Sequence, residues 1–124
     1  MKIIKLETFT KPYVSFVKIT LDDGSTGFGQ MSTYHADITA QIFHKQVAPW
    51  VLGKAYSDFD DLEDFIFERE HKFPGSYLLR AIAGLDTALW DLKGKIESKP
   101  VVSLIGGKPG KLRIYGSSMK RDIK

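Results

Sequence analysis

Apolar and polar residues alternate over the first 31 positions in the way that is typical of β-strands. The pattern predicts a strand over residues 3–11 that ends near Pro12, because proline has no amide proton to donate to a sheet. A second strand is predicted over residues 13–21. Residues 22–25 read Asp-Asp-Gly-Ser, which is typical of a hairpin turn, and residues 26–31 return as a third strand. One face of the second strand carries three apolar side chains: Val17, Ile19 and Leu21.

From residue 36 onward the apolar positions recur with helical spacing. A first helix is predicted over residues 36–50, with Pro49 marking its end. Its apolar face is formed by Ile38, Ile42, Phe43 and Val47. A second helix is predicted from near Ser57 or Asp58, with an acidic first turn that suits the positive end of the helix dipole. Its buried stripe is formed by Leu62, Phe65 and Ile66.

A third helix is predicted over about residues 77–97, with Ser76 as its N-cap. Apolar side chains form one line along it: Leu78, Ile82, Leu85, Leu89, Leu92 and Ile96. Small residues line up at helical spacing beside them: Ala81, Ala83, Gly84 and Ala88. A helix that is apolar on more than one side is expected to have neighbours on two faces.

The C-terminal part of the sequence predicts an incomplete fold. Residues 100–105 form a short apolar element closed by Gly106 and Gly107, and residues 112–116 are predicted as one more strand. That strand has no following element to pair with, so we interpret the chain as a fragment. The alternative is that the last strand joins the meander.

Composition excludes several classes of function. The hydrophobic fraction is 43% and the charged fraction 27%, as in an ordinary globular protein. A net charge of +3 from scattered lysines does not favour nucleic acid as a partner. The absence of cysteine excludes disulfides, zinc–thiolate sites and a cysteine nucleophile. No apolar run approaches the roughly 20 residues that span a bilayer, and the N-terminus does not read as a signal peptide. We therefore expect a cytoplasmic protein that does not enter the membrane.

One long motif resembles a known family. Residues 83–95, Ala-Gly-Leu-Asp-Thr-Ala-Leu-Trp-Asp-Leu-Lys-Gly-Lys, precede Pro100-Val101 and Leu104-Ile105-Gly106-Gly107. This order resembles the end of the N-terminal capping domain in enolase-superfamily enzymes of the mandelate racemase and muconate lactonizing type, and the meander and helices before it fit the same domain. The resemblance implies an α+β fold, a three-stranded antiparallel meander followed by a helical bundle. Residues 1–110 would form the cap, and residues 111–124 would begin a (β/α) barrel.

The resemblance also implies a chemistry. Enzymes of this type bind Mg²⁺ and remove the proton α to a carboxylate, using ligands and bases on the barrel. Those groups would lie beyond Lys124, so no catalytic residue and no metal ligand is expected in this chain. The polar loop after the meander favours dehydration of an acid sugar, while racemisation, epimerisation and cycloisomerisation stay open. The expected partners are a small carboxylate substrate, the chain's own barrel and further copies in a homo-oligomer.

The cap of such an enzyme would contact the substrate through its loops. The best candidates lie in the loop after the meander, namely Thr33, Tyr34 and His35, and the alternative is an ordinary surface loop. Lys120 and Arg121 could hold an anionic or hydroxylated group just past the first barrel strand. The connection around Pro12 looks too short to contribute much. For Asp86 and Asp91 we expect an interdomain or capping hydrogen bond and no catalytic role, because an apolar helix seldom buries a carboxylate without a partner.

A different class of function also fits the sequence. The chain could be a free-standing α+β binding or oligomerisation module with no enzyme attached. Such a module should cover the apolar and small-residue faces of helix 77–97 by itself. A cap that lacks its barrel should expose an apolar patch there.

Overall fold

The computed structural model describes residues 1–55 and 61–116 and shows an α+β fold. A three-stranded antiparallel sheet in the order β1-β2-β3 packs against a layer of helices. The strands are β1 (Ile3–Lys11), β2 (Val14–Leu21) and β3 (Thr26–Gln30). The helices are α1 (Ala36–Ile42), a π-helical segment (Phe43–Val47), α2 (Ala48–Val51), α3 (Leu62–Arg69), α4 (Ser76–Glu97) and α5 (Val101–Leu104). Within the described ranges, no helix is long and apolar enough to cross a bilayer.

The sheet confirms the predicted meander. Val17, Ile19 and Leu21 of β2 are fully buried, and their neighbours Phe16 and Lys18 lie on the opposite face. The β2–β3 turn is closed by Gly24 at φ 85 and by Asp23, whose carboxylate accepts a hydrogen bond from the Ser25 N–H at 2.9 Å. The inner face of the sheet therefore forms one side of the hydrophobic core.

Helix α4 lies directly on β3 because Gly27 and Gly29 of the strand present no side chain at the contact. A Cβ at Gly29 would collide with the carbonyl oxygen of Gly84, and a Cβ at Gly27 would collide with that of Ala88. The small residues seen in the sequence thus permit a close approach of strand and helix backbones. The apolar line of α4 is buried as predicted at Leu78, Ile82, Leu85, Leu89 and Leu92.

The first predicted helix is wrong in two details. The helical region continues past Pro49 to Val51. After the π-helical segment a new helical turn, α2, begins at Ala48, so Pro49 falls in a first turn. A proline is tolerated there because the N–H that it lacks would have no partner in the helix. Ile38 is 40% exposed rather than part of the buried face. Phe43 and Val47 are fully buried, as predicted.

The second helix begins at Leu62, and Leu62 and Ile66 are buried while Phe65 is partly buried. Its predicted start near Ser57 or Asp58 lies outside the described residues. The end of α3 is fastened to the preceding helices by Glu70. This carboxylate accepts hydrogen bonds from Gln46 Nε2 at 2.8 Å and from Trp50 Nε1 at 2.7 Å.

Two predictions near the third and last elements are also corrected. Ser76 is the first residue of α4, and Gly75 occupies the cap position without a side-chain hydrogen bond. Residues 112–116 form no strand, and Leu112, Ile114 and Tyr115 are exposed. A strand needs a free sheet edge, and the edge of β3 is occupied by side chains of α4, since Asp91 accepts from the Phe28 N–H and Lys95 donates to the Thr26 carbonyl.

Candidate substrate-contact cleft

Two loops meet at one end of the sheet. One is the tip of the β1–β2 hairpin, and the other is residues 31–35, between β3 and α1. Between them lies an open cleft of about 580 Å³. It is lined by Thr10, Lys11, Pro12, Tyr13, Tyr34, His35 and Asp37. The cleft brings together two of the predicted loop residues, Tyr34 and His35, with the hairpin tip around Pro12, for which the sequence predicts little contribution.

The loop at residues 31–35 is anchored at its start by Met31. The Met31 N–H donates to the Ser15 carbonyl at 2.8 Å, and its buried side chain packs against Gly84 of α4. The next residue, Ser32, holds the turn. Its hydroxyl accepts from the Tyr34 N–H and donates to the Tyr34 carbonyl, both at 3.2 Å. It also accepts a hydrogen bond from the Arg80 guanidinium.

The other end of the loop is fixed by His35. This residue has φ 50 and ψ 48, a left-handed conformation that non-glycine residues seldom adopt. Its carbonyl accepts from the Thr39 N–H at 3.1 Å and from the Thr39 hydroxyl at 3.2 Å. Its ring meets the Tyr77 ring edge-on, with centroids 6.3 Å apart. The imidazole is therefore held at the cleft by a helix start on one side and an aromatic contact on the other.

The hairpin side of the cleft is built by the last residue pairs of β1 and β2. Thr10 pairs with Ser15, and their hydroxyl oxygens lie 2.7 Å apart beneath the tip. Beyond them Lys11 and Tyr13 are exposed, Tyr13 at 77%. The meander itself brings this tip beside residues 31–35, because an antiparallel sheet places the β1–β2 turn and the end of β3 at the same end. The hydrogen bond between Met31 and Ser15 continues the β2–β3 ladder by one residue pair.

The cleft is suited to a polar ligand of mixed character. It presents two phenol hydroxyls, on Tyr13 and Tyr34, an imidazole on His35, an ammonium on Lys11 and a carboxylate on Asp37. Phenol and imidazole groups both donate and accept hydrogen bonds, and the ammonium attracts an anion. Such a set fits a small molecule that carries hydroxyl groups and a carboxylate.

The remaining predicted site residues do not line the cleft. Thr33 is exposed in the same loop but is not among the lining residues. Lys120 and Arg121 lie outside the described residues, so their role stays a prediction.

The two acidic residues of α4 have different surroundings. In the part of the chain that the structure describes, Asp91 makes neither a capping nor an interdomain bond but joins two elements of this domain, accepting from the Phe28 N–H of β3 at 2.8 Å and from Lys95 Nζ at 2.6 Å. Asp86 is half-buried, and burial raises its pKa, an effect that the Trp90 indole partly offsets. Burial and the nearby Asp86 carboxylate together raise the pKa of Glu63. Asp86 and Glu63, called below the acidic pair, are thus two partly buried carboxyls whose pKa values are both raised.

The described ranges hold no group of three or more His, Asp or Glu side chains that could bind a metal ion. The expectation that the ligands of Mg²⁺ lie beyond Lys124 stays a prediction.

Comparison with known proteins places this domain. The family described as mandelate racemase / muconate lactonizing enzyme, N-terminal domain, matches residues 3–106. A D-galactonate dehydratase family member from Pseudarthrobacter chlorophenolicus is 36% identical over 128 residues, which cover 99% of this chain and 31% of that protein.

Solved structures agree with that match. A provisionally assigned racemase from Roseobacter denitrificans has 61% identity and a TM-score of 0.89, covering 99% of this chain and 34% of that one. A mandelate racemase/muconate lactonizing protein from Paracoccus denitrificans PD1222, complexed with magnesium, has 34% identity and a TM-score of 0.78, covering 86% of this chain and 30% of that one.

These matches show the class of protein. The chain belongs to the mandelate racemase/muconate lactonizing enzyme N-terminal domain family. It has the α+β fold of the enolase capping domain and spans about a third of the length of the relatives that it matches.

Proposed function

We propose that this chain is the cap of a magnesium-dependent enzyme that removes the α-proton of a carboxylate substrate, and that the reaction is dehydration of an acid sugar. The observation that carries the proposal is the cleft at the hairpin tip, where hydroxyl, imidazole and ammonium groups from two loops converge. The relative from Pseudarthrobacter chlorophenolicus supports the choice of reaction, since it is named for D-galactonate dehydratase.

In this proposal the residues of the cap bind and orient the substrate and do no chemistry themselves. Tyr34 and His35 hydrogen-bond the hydroxyl groups of the distal part of the sugar acid, and Lys11 attracts an anionic group. The rings of Tyr13 and Tyr34 cover the substrate and exclude water from it. Magnesium, held elsewhere in the protein, would stabilise the charge that forms when the proton leaves.

The outer face of α4 supports the presence of a partner domain. Leu79, Ala83 and Trp90 follow helical spacing along the side that does not touch the sheet, and Leu79 is 53% exposed. The next element continues this surface, because Val101 of α5 packs beside Gly94 and Ile105 is 63% exposed. A free-standing module would be expected to cover such a face. We therefore assign it to the barrel, with the barrel beginning near residue 111.

The first test is the mass of the protein in its source cells, detected with an antibody to this chain. A species of roughly 40 kDa, the sum of the cap and a barrel of about 250 residues, supports the proposal. A species at 14.0 kDa would overturn it in favour of the binding module.

The second test is the reaction. The protein as its cells make it is incubated with a panel of sugar acids and Mg²⁺ in D₂O. Dehydration gives a 2-keto acid that has lost one water and carries deuterium on the carbon next to the new carbonyl, where the enol takes up a deuteron from the solvent. Racemisation or epimerisation instead gives a substrate of inverted configuration with deuterium at the α-carbon, which would replace the dehydratase with the alternative that the Roseobacter denitrificans relative favours. Turnover by a verified 124-residue preparation would contradict the role as a cap.

A further inference from the structure

The loop at residues 31–35 has no regular secondary structure, yet its geometry depends on one hydroxyl group. Ser32 Oγ is hydrogen-bonded to both the N–H and the carbonyl of Tyr34 at 3.2 Å. The hydroxyl therefore satisfies the backbone groups of Tyr34 that a neighbouring strand would satisfy in a sheet. A serine hydroxyl that is half-buried and exposed to competing water makes only modest bonds of this kind. A third partner is needed to keep it in place.

That partner comes from α4, 48 residues further along the chain. Arg80 Nη1 donates to Ser32 Oγ, and Tyr77, one turn earlier on the same helix, contacts the His35 ring. The two α4 residues thus support Ser32 and His35, on either side of Tyr34. Among the described residues Arg80 has no carboxylate within salt-bridge distance. Its one hydrogen-bond partner there is the loop.

We propose that Arg80 is a positioning residue of the cleft. Its charged donor orients the Ser32 hydroxyl, the hydroxyl sets the backbone of Tyr34, and the backbone sets where the Tyr34 and His35 side chains stand in the cleft. A hydrogen bond from a guanidinium is about twice as strong as one between neutral groups, which suits a contact at the surface. This inference rests on the proposed function in one respect, because it takes Tyr34 and His35 to contact the substrate.

The experiment compares Arg80→Met, Arg80→Lys, Ser32→Ala and the double variant Arg80→Met/Ser32→Ala in the protein as its cells make it. Lys72→Met is the control, since Lys72 is an exposed cation between α3 and α4 and lies outside the cleft. The first readout is hydrogen exchange of the peptide that covers residues 31–35, followed by mass spectrometry. We expect exchange about fivefold faster in Arg80→Met and Ser32→Ala, partial recovery in Arg80→Lys and no change in the control.

The second readout is steady-state kinetics on the sugar acid that the wild-type protein dehydrates. We expect KM to rise about fivefold in Arg80→Met with kcat within about twofold, which is the signature of lost substrate binding. The double variant should be no worse than the worse single variant, because both changes break one connected unit.

Unchanged exchange in Arg80→Met, or effects of the two single variants that multiply in the double variant, would overturn the inference. The exchange experiment needs no substrate. A protein that fails to dehydrate sugar acids yet shows the expected exchange would overturn the proposed function and leave the positioning role supported.

Discussion

Single residues at the cleft carry the most direct consequences for the proposed function. Tyr34 presents its ring and hydroxyl at 57% exposure, so its removal should change ligand contacts without disturbing the core. In the active protein, Tyr34→Phe should lower kcat/KM for the sugar acid by about tenfold, the cost of one lost hydrogen bond. The control is Thr20→Val, which removes a hydroxyl from β2 at the end of the strand away from the cleft. If the two substitutions changed kcat/KM equally, Tyr34 would not be a substrate-contacting residue.

A second consequence at this scale concerns the hydrogen bond between Asp91 and the edge of β3. Asp91→Ala leaves the Phe28 N–H without its acceptor and removes the ion pair with Lys95. The free energy of unfolding, measured by urea denaturation, should fall by about 1.5 kcal/mol. Asp91→Asn keeps an acceptor oxygen and should lose less than half of that amount. If the two variants are equally unstable, the charge and not the backbone hydrogen bond is the source of the stability.

The acidic pair of Asp86 and Glu63 predicts a pH dependence with a definite sign. Burial raises the pKa of both carboxyls, so the folded chain binds more protons than the unfolded chain between about pH 4 and the raised pKa values. The free energy of unfolding therefore falls as pH rises through that interval. In Asp86→Asn the free energy of unfolding should depend less on pH. At pH 7 it should be higher than in the wild type by about 0.5 kcal/mol, a figure reduced for solvent screening.

The control for that pH profile is a carboxylate whose pKa is shifted in the opposite direction. Glu7 accepts a hydrogen bond from Lys5, which lowers the pKa of Glu7, so its ionised form stabilises the fold. Glu7→Gln should therefore remove stability that grows as pH rises through the acidic range, the reverse of Asp86→Asn. Urea denaturation across pH 3 to 8, an interval chosen to bracket the ordinary carboxyl pKa values, checks both. A steeper profile in Asp86→Asn would contradict the assignment.

At the scale of elements, the stability of the fold depends on the close packing of α4 on β3. Gly29→Ala puts a methyl group where the carbonyl oxygen of Gly84 lies, and backbone must move to admit it. The free energy of unfolding should fall by about 2–3 kcal/mol. Gly110→Ala is the control, because a Cβ there meets nothing within 4 Å. A thermal melt that does not separate the two variants would show that the strand and helix adjust to the methyl group.

The same elements show how far the sequence predicts this structure. The meander was predictable because alternation and the turn at residues 22–25 are local signals, and the burial of Val17 follows from its period of two. The π-helical segment at Phe43–Val47 was not, since one extra residue in a helical turn leaves no mark in an apolar pattern. It is also why Pro49, read as a stop, is tolerated inside the helical region.

The cleft was predictable only in part, and for a physical reason. Tyr34 and His35 could be selected because they lie in a polar loop next to a predicted sheet. The predicted meander also places the hairpin tip at this end of the sheet, although its short connection argued against a contribution. Arg80 could not be selected, because it reaches the loop through a tertiary hydrogen bond to Ser32. Residues 112–116 form no strand in this chain for a related reason. Strand propensity is local, but a strand exists only where another edge accepts it.

For the whole molecule, the open question is what covers the outer face of α4 and α5. If a barrel docks there, Leu79 and Ile105 are exposed in the isolated 124-residue chain and buried in a longer protein. Leu79→Asp should then leave the melting temperature of the isolated chain nearly unchanged. In the longer protein it should cost about 2 kcal/mol, the value of one buried leucine, and should speed cleavage by protease between the domains.

Ile38→Asp provides the comparison, because Ile38 is also an exposed apolar residue of a helix, at 40%, but lies on α1 away from that face. It should behave alike in the short and the long forms. The informative quantity is therefore the difference between the two forms for each variant, since it cancels any local effect of an aspartate on a helix. A difference for Leu79 no larger than that for Ile38 would mean that the barrel docks elsewhere, and the exposed face of α4 would then belong to contacts between copies.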